Sequence, residues 1–485
     1  MPPPPPPPEL TRRTVLAGIG GLPLAAAAGV PEPVPTAGRA SGTRPGRDDA
    51  PLAAAGGRTA TLLRGAALVL TMDPAIGEGP LGTLENGVDV LLRDGRIGAV
   101  GRRLDAPPGA RVVDVRGKLV LPGFVDLHNH LWQAGIRGGC ADRDLTGWLA
   151  GCNRPALPRI DAQDMYRLVL LAALDVVRTG VTTVVDWVHP IPYATTERYV
   201  RALADAGPRF VYAAYQPAAG LPLVRKAAAE FLDPLPLASA QVATRAAWPD
   251  RAGLRQCREL ARELGVLLNC HVLERRTDRA DQPVRALRWA GAFGPGLLMN
   301  HAVHLTDEEV ALTGAHDVRV AYCPLSNMRL ASGIAPLPAL HRHGVRAGLG
   351  QDGGTNDTSD MFALMKAAVG LQRARHEDAS VHPTIPEVLR MATLGGAECL
   401  GMADRIGSLT PGKRADVVVL DPGTLNFAPR FDWTGQIVLN GQPPNVTEVF
   451  VDGRPLKSGG ELPHVDVERV IHEAERAAAR LRAAM

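Results

Sequence analysis

The sequence predicts an α/β chain in which a (β/α)8 barrel, or TIM barrel, carries a small β-domain assembled from both ends of the polypeptide. Three observations predict it. Between residues 121 and 408, eight short apolar runs alternate with alanine-rich helical segments, the rhythm of βαβ units on a parallel sheet. That interval fits the usual barrel length of roughly 250 residues. Before and after it stand β-branched runs cut by Asp-Gly and Arg-Gly turns, the pattern of hairpins.

Composition narrows the class further. Of 485 residues, 46% are hydrophobic and 21% charged, near the averages for globular proteins, which disfavours a disordered chain, a fibre or a multi-span membrane protein. The 53 Lys plus Arg nearly cancel the 50 Asp plus Glu; a net charge of +3 makes no phosphate-attracting field, so nucleic acid is not an expected partner. Six isolated cysteines without a CxxC pair exclude a fold built on dense disulfides, and leave open whether Cys140 pairs with Cys152.

Taken in order, the chain opens on a proline run at residues 2–8, which favours extended polyproline conformation. Arg12 and Arg13 then precede an apolar run of 14 residues, 15–28. A membrane span needs about 20. The pattern suits a signal peptide ending in small residues, and the paired arginines resemble the twin-arginine export signal. The expectation is a signal peptide over 1–30 and an exported, periplasmic or extracellular, protein with no stable membrane insertion after cleavage. A chance arginine pair would leave it cytoplasmic. Residues 31–58, rich in Pro, Gly, Ala and Arg, read as a flexible linker.

Residues 59–120 form the first part of the β-domain, in the segments TLLRGAALVLTMDP, GVDVLLRDGRIGAVG and ARVVDVRGKLVLPG. The barrel follows over 121–408, with strands expected at 123–128, 181–187, 209–215, 239–245, 265–271, 296–301, 318–323 and 345–350. Hairpin pattern returns over 409–460, in IGSLTPGKRADVVVLDP and VTEVFVDGRPL. The last segment, 461–485, is an amphipathic helix suited to packing or to an interface, so a homo-oligomer stays open.

Chemistry concentrates at the carboxyl ends of the barrel strands, where such barrels carry their sites. His128 and His130, in PGFVDLHNH, lie two apart, on one face of a strand, so both imidazoles can reach one ion. His271 and Glu274, in LLNCHVLE, share the mouth only if the strand is ending, since residues three apart point oppositely along regular β. His301 and His304 close the sixth strand. Asp352 closes the eighth, before two glycines. A single strand-end residue is more often packing, and His304, His189 and Cys323 are read so. Three histidines and one carboxylate together match the nitrogen and oxygen donors of catalytic zinc.

The pieces LVLPGFVDLHNH, GVTTVVD, CHVLE, NHAVHLTDEEV, CPLSNMRLASGIAPL, AGLGQDGGTND and IGSLTPGKRADVVVLD, in this order, resemble the amidohydrolase superfamily. The resemblance runs over roughly residues 60–456 and is to the cytosine-deaminase and triazine/S-adenosylhomocysteine deaminase-like branch. It implies a metal-dependent barrel joined to a small β-sandwich made of N- and C-terminal segments. It implies His128, His130, His271 and Asp352 as metal ligands, Glu274 as the proton-shuttling acid and His301 as the histidine beside the activated water. Gln351 stands where GTDG is usual, CHVLER where HLAET is common, and the fourth-strand region ATRAAWPD is altered. The first two departures keep the ligand types; together the three bear on the substrate pocket.

Binuclear relatives bridge two ions with a carboxylated lysine, yet Lys118, Lys226, Lys366, Lys413 and Lys457 all lie away from barrel-strand carboxyl ends. One divalent ion is expected, zinc first and iron second, since imidazole suits both. The implied reaction replaces an exocyclic amino group of a small nitrogen heterocycle, such as a purine, pterin or triazine, by oxygen, with release of ammonia. Asp352 would take a proton from water, Glu274 would protonate a ring nitrogen and His301 would stabilise the oxygen anion. Another hydrolysis at the same site, dechlorination or amide cleavage, and a noncatalytic barrel are the alternatives. Trp132 could stack on the ring and Gln133 could bond its edge; Gln133 resembles the glutamine that several purine and pterin deaminases have after HxH. A core Trp132 and a solvent-facing Gln133 are equally compatible with the sequence. Residues 353–360 could contact substrate or start a helix.

Overall fold

A computed structural model of the chain describes residues 60–355 and 358–485. The expected signal peptide, 1–30, and linker, 31–58, lie outside the described residues.

Among the described residues, five strands precede the barrel: β1 (Thr61–Leu70), β2 (Thr83–Arg93), β3 (Arg96–Arg102), β4 (Arg111–Asp114) and β5 (Leu119–Pro122). Asp94 and Gly95, between β2 and β3, have φ of 54° and 75°, the left-handed pair that a tight antiparallel hairpin requires. Eight strands follow with helices between them: β6 (Phe124–Asn129), β7 (Val181–Val188), β8 (Arg209–Tyr215), β9 (Ala238–Arg245), β10 (Leu268–Val272), β11 (Leu297–His301), β12 (Arg319–Tyr322) and β13 (Ala347–Leu349). The chain returns in β14 (Val417–Leu420), β15 (Val446–Val451) and β16 (Arg454–Lys457).

β6 to β13 pair in chain order, all parallel, as (β/α)8 strands do. Covered on both faces, such strands read as continuous apolar runs; all eight residues of β7 are buried. Aliphatic residues, among them Val125, Leu127, Val185, Val211, Ala213 and Leu298, fill the interior. The sheet closes at the site itself, where the Asp352 N–H donates to the His128 carbonyl at 2.8 Å. The fifth strand starts at Leu268 rather than 265, because Gly265, φ 65°, ends the helix Arg251–Leu264 in the left-handed conformation.

The remaining strands form one mixed sheet of order β16-β15-β14-β5-β1-β2-β3, with β4 alongside the first half of β1. The β5 and β14 pairing, Leu119 opposite Leu420 and Pro122 opposite Val417, joins the two ends of the chain. The sheet wraps a core of its own that includes Leu63, Val69, Val90, Ile97, Val120, Val417 and Phe450. Arg209, at the start of β8, pairs with Asp416 at 3.3 Å and with Asp452, clasping the sheet to the barrel. The final helix, Val467–Ala484, buries Val470, Ala474, Ala477 and Leu481, and its Arg480 Nε donates to Asp164 Oδ2 of the helix Ala162–Arg178 at 2.8 Å. Among the described residues, no helix is long and apolar enough to cross a membrane.

Candidate active site

His128 lies within β6 and His130 just beyond it; His271 lies near the end of β10, and Asp352 three residues past β13. One ligand atom from each of these four side chains lies within 4.8 Å of the others. The Nε2 atoms of His128 and His130 are each 3.2 Å from Asp352 Oδ1.

The hydrogen bonding shows what this arrangement is built for. His130 Nδ1 stands 2.6 Å from the Trp187 carbonyl, which can only accept, so Nδ1 carries a proton and Nε2 is the ring nitrogen turned toward Asp352; burial opposes protonation of this imidazole, yet the facing carboxylate raises its pKa. Both ring nitrogens of His128 are buried without a hydrogen-bond partner. Burial pushes the His128 imidazole down to about 3 and His271 well below the usual histidine range, which keeps both in the neutral, ligating form. Burial opposes ionisation of Asp352, yet the facing His301, His128 and His130 hold its carboxyl well below the usual range. Three imidazoles and one carboxylate fit a single divalent ion such as zinc.

Glu274 reaches the same centre because β10 stops in time. Leu273, φ 51°, breaks the strand alternation, and the Glu274 carboxyl Oε2 comes to 3.6 Å from His301 Nε2. Burial, and then the negative charge of Asp352, push the Glu274 carboxyl well above its ordinary range. His301 ends β11 in the left-handed region, φ 70°, an uncommon conformation for a residue with a side chain, and such residues cluster at functional sites. Asn327 Nδ2 lies 3.1 Å from His301 Nδ1; with the amide donating, the His301 proton sits on Nε2, toward Glu274.

Two glycines let the eighth strand approach the first. A Cβ on Gly350 would stand 2.8 Å from His128 Cβ, and one on Gly353, φ 62°, would stand 2.7 Å from the His130 carbonyl oxygen. Buried Asp126 ties these segments together, its Oδ1 accepting from the Gln351 N–H at 2.9 Å and the His128 N–H at 3.3 Å. Gln351, unusual in sequence, stands in this support behind the ligands, 3.4 Å from Asn129 Nδ2.

In front of the ligands opens a cavity of about 440 Å³. Gln133 lines it, but its Oε1 accepts from the Gly354 N–H at 3.1 Å, and at 1% exposure the residue is not solvent-facing. Trp132 corrects the stacking expectation: its ring is fully buried in the core and absent from the cavity wall, with its indole N–H donating to His189 Nδ1 at 3.2 Å. His189, read above as packing, instead lines the cavity. His304 does pack, its Nε2 2.7 Å from the Ser332 carbonyl, and Cys323 is buried. The sequence reading missed Trp187 and Tyr215, at the ends of β7 and β8, and Arg154, Arg245 and Arg275 at the wall. The strand-end criterion that found His271 would have found the aromatics. It would also have found Arg245, the last residue of β9, whereas Arg154 and Arg275 lie off the barrel strands and carry no such signal.

One wall comes from residues 131–159, which contribute Gln133, Trp148, Asn153 and Arg154 among others. Cys140 and Cys152 form a disulfide within this segment, Cα atoms 6.3 Å apart. Arg275 crosses to it, Nη1 donating to Thr146 Oγ1 at 2.7 Å.

Comparison with known proteins agrees with this geometry. The profile of the family described as "Amidohydrolase family" matches residues 119–456. A 5-methylthioadenosine/S-adenosylhomocysteine deaminase of Pelotomaculum thermopropionicum is 32% identical over 443 residues, covering 87% of this chain and 99% of the relative. A 5'-deoxyadenosine deaminase of Methanothermobacter thermautotrophicus is 32% identical over 412 residues, covering 81% and 94%. Among solved structures, an adenosine deaminase from Xanthomonas campestris with bound zinc superposes with a TM-score of 0.77 at 28% identity, covering 87% of this chain and 98% of that one.

Proposed function

Because the chain belongs to the amidohydrolase family, we propose that it is a zinc-dependent deaminase of aminated nitrogen heterocycles, with 6-aminopurine nucleosides as its substrate class. The observation that carries this reading is the meeting of His128, His130, His271 and Asp352 within 4.8 Å, with Glu274 and His301 on the cavity side. The nucleoside class is supported by the deaminase relatives and by a cavity of about 440 Å³ walled by Trp148, Trp187 and Tyr215.

His128, His130, His271 and Asp352 would hold the ion, which lowers the pKa of water toward about 7 and so supplies hydroxide at neutral pH. The residues divide the remaining work. Glu274, kept protonated by burial, donates to the ring nitrogen next to the amino-bearing carbon, which makes that carbon electrophilic. The Asp352 carboxylate accepts the proton that water gives up. His301 Nε2–H, fixed by Asn327, donates to the oxygen as it takes negative charge. The hydroxide oxygen would bond to that carbon, Asp352 would pass its proton to the amino group, which leaves as ammonia as the carbon–nitrogen bond breaks, and the hydroxyl proton would return to Glu274, leaving a ring carbonyl.

The test is ammonia release by the zinc-loaded chain across 6-aminopurine nucleosides, pterins and aminotriazines. Turnover of the nucleosides is expected. Ammonia from none of them, with chloride released from a chlorotriazine, would replace this reading by dechlorination.

We also propose export through the twin-arginine-type segment at Arg12 and Arg13. The Cys140–Cys152 disulfide supports this, since such bonds persist in oxidising compartments. Replacing both arginines by lysine should retain the chain in the cytoplasm on fractionation; unchanged export would refute it.

A further inference from the structure

Outside the active site, the described residues gather donor groups at one more place. His341 lies in the helix Leu337–Arg342, His382 just before Thr384, and Glu387 in the helix Ile385–Met391. Their ligand atoms lie within 4.8 Å of one another. Glu387 Oε2 is 3.0 Å from His382 Nδ1, and Oε1 is 3.7 Å from His341 Nε2. The carboxylate is held in place from behind: the Thr384 N–H and hydroxyl donate to its Oε2 at 2.7 and 2.8 Å. His382 Nδ1 is buried and, although close to Glu387, makes no hydrogen bond.

From this arrangement we infer a second, noncatalytic site for a borderline divalent cation of the zinc class, formed by His341, His382 and Glu387 with water completing the coordination. Two imidazoles and a carboxylate are a donor set such ions accept. The imidazole rings stack at 3.9 Å, 9° from parallel, so their lone pairs converge only when His341 turns. At 53% exposure its side chain has room to do so. The site would be a clamp. His341 precedes β13, which leads to Asp352, and Glu387 opens the helix that runs up to Ala392, whose carbonyl accepts from the Val125 N–H of β6 at 2.9 Å. An ion here would tie together the segments on either side of the eighth barrel strand.

The experiment uses the full chain with its active-site ion in place, equilibrated with micromolar zinc, freed of loose metal and analysed for metal content. About two equivalents per chain are expected for the wild type and about one for His341→Ala and for His382→Ala, with kcat unchanged. Zinc should also raise the Tm of the wild type and not of the variants. Should His382→Ala fold poorly, His341→Ala, at an exposed position, decides alone. A wild type that holds one equivalent, as a plain His–Glu ion pair would, overturns the inference. So does a second equivalent that survives His341→Ala.

Discussion

Glu274 and His130 both touch the centre but would fail differently when changed. Glu274→Gln removes the proton donor and leaves the donor set intact, so zinc content should stay at the wild-type level while kcat falls by about 10²- to 10⁴-fold. His130→Ala removes a ligand, and elemental analysis should find the ion lost. Equal metal content in His130→Ala and wild type would break the ligand assignment. Asn327 acts through His301, so it is a positioning residue: Asn327→Leu should cost about 10- to 100-fold in kcat, with zinc retained and KM little changed. A shift in KM alone would mean that Asn327 only shapes the cavity. In sequence the histidine and carboxylate ligands stand out by type and strand-end position, whereas Asn327 is one polar residue within CPLSNMRLASG, and its role appears only as a 3.1 Å contact.

Elements decide whether those side chains meet. The strand ends bring Asp352 beside His128 only because Gly350 lacks a Cβ; Gly350→Ala would force backbone apart at the barrel seam, with a stability loss of about 1–3 kcal/mol and reduced zinc retention, read by thermal unfolding with and without chelator. The wall segment 131–159 is a different kind of element, short helical turns stapled by a disulfide across 12 residues and tied by Arg275. Cys140→Ser with Cys152→Ser should lower stability by about 2–4 kcal/mol and raise KM more than it changes kcat, because the cavity wall loosens while the zinc ligands stay on their strands. An unchanged KM would show that the wall holds without the staple. Period and composition located the strands to within a few residues, since parallel strands buried on both faces must be apolar throughout. They were silent on the wall, whose turns follow no period.

At the scale of the whole molecule, barrel and mixed sheet share one apolar core, in which Leu121, Val418 and Leu420 join Phe124 and Val177, and a buried charge cluster crosses the same junction. Arg209, 3% exposed, faces Asp416 and Asp452; Arg209→Ala would leave the buried Asp416 carboxylate uncompensated, while Asp452 keeps Arg414, and should cost about 3–5 kcal/mol in chemical denaturation. A loss below about 1 kcal/mol would place the coupling in the apolar contacts instead. The sequence by itself determined the barrel, its strand order and the identity of the centre's histidines and carboxylates, because burial imposes a repeating pattern and metal binding demands particular atoms. Only the tertiary structure decided that Trp132 belongs to the core, that His189 faces the cavity, and that Gln351 supports the ligands from behind. A side chain's surroundings depend on backbone turns such as the left-handed Leu273, His301 and Asp352, and on neighbours hundreds of residues away. Residue type sets what a group can do, and packing sets which side of the wall it stands on.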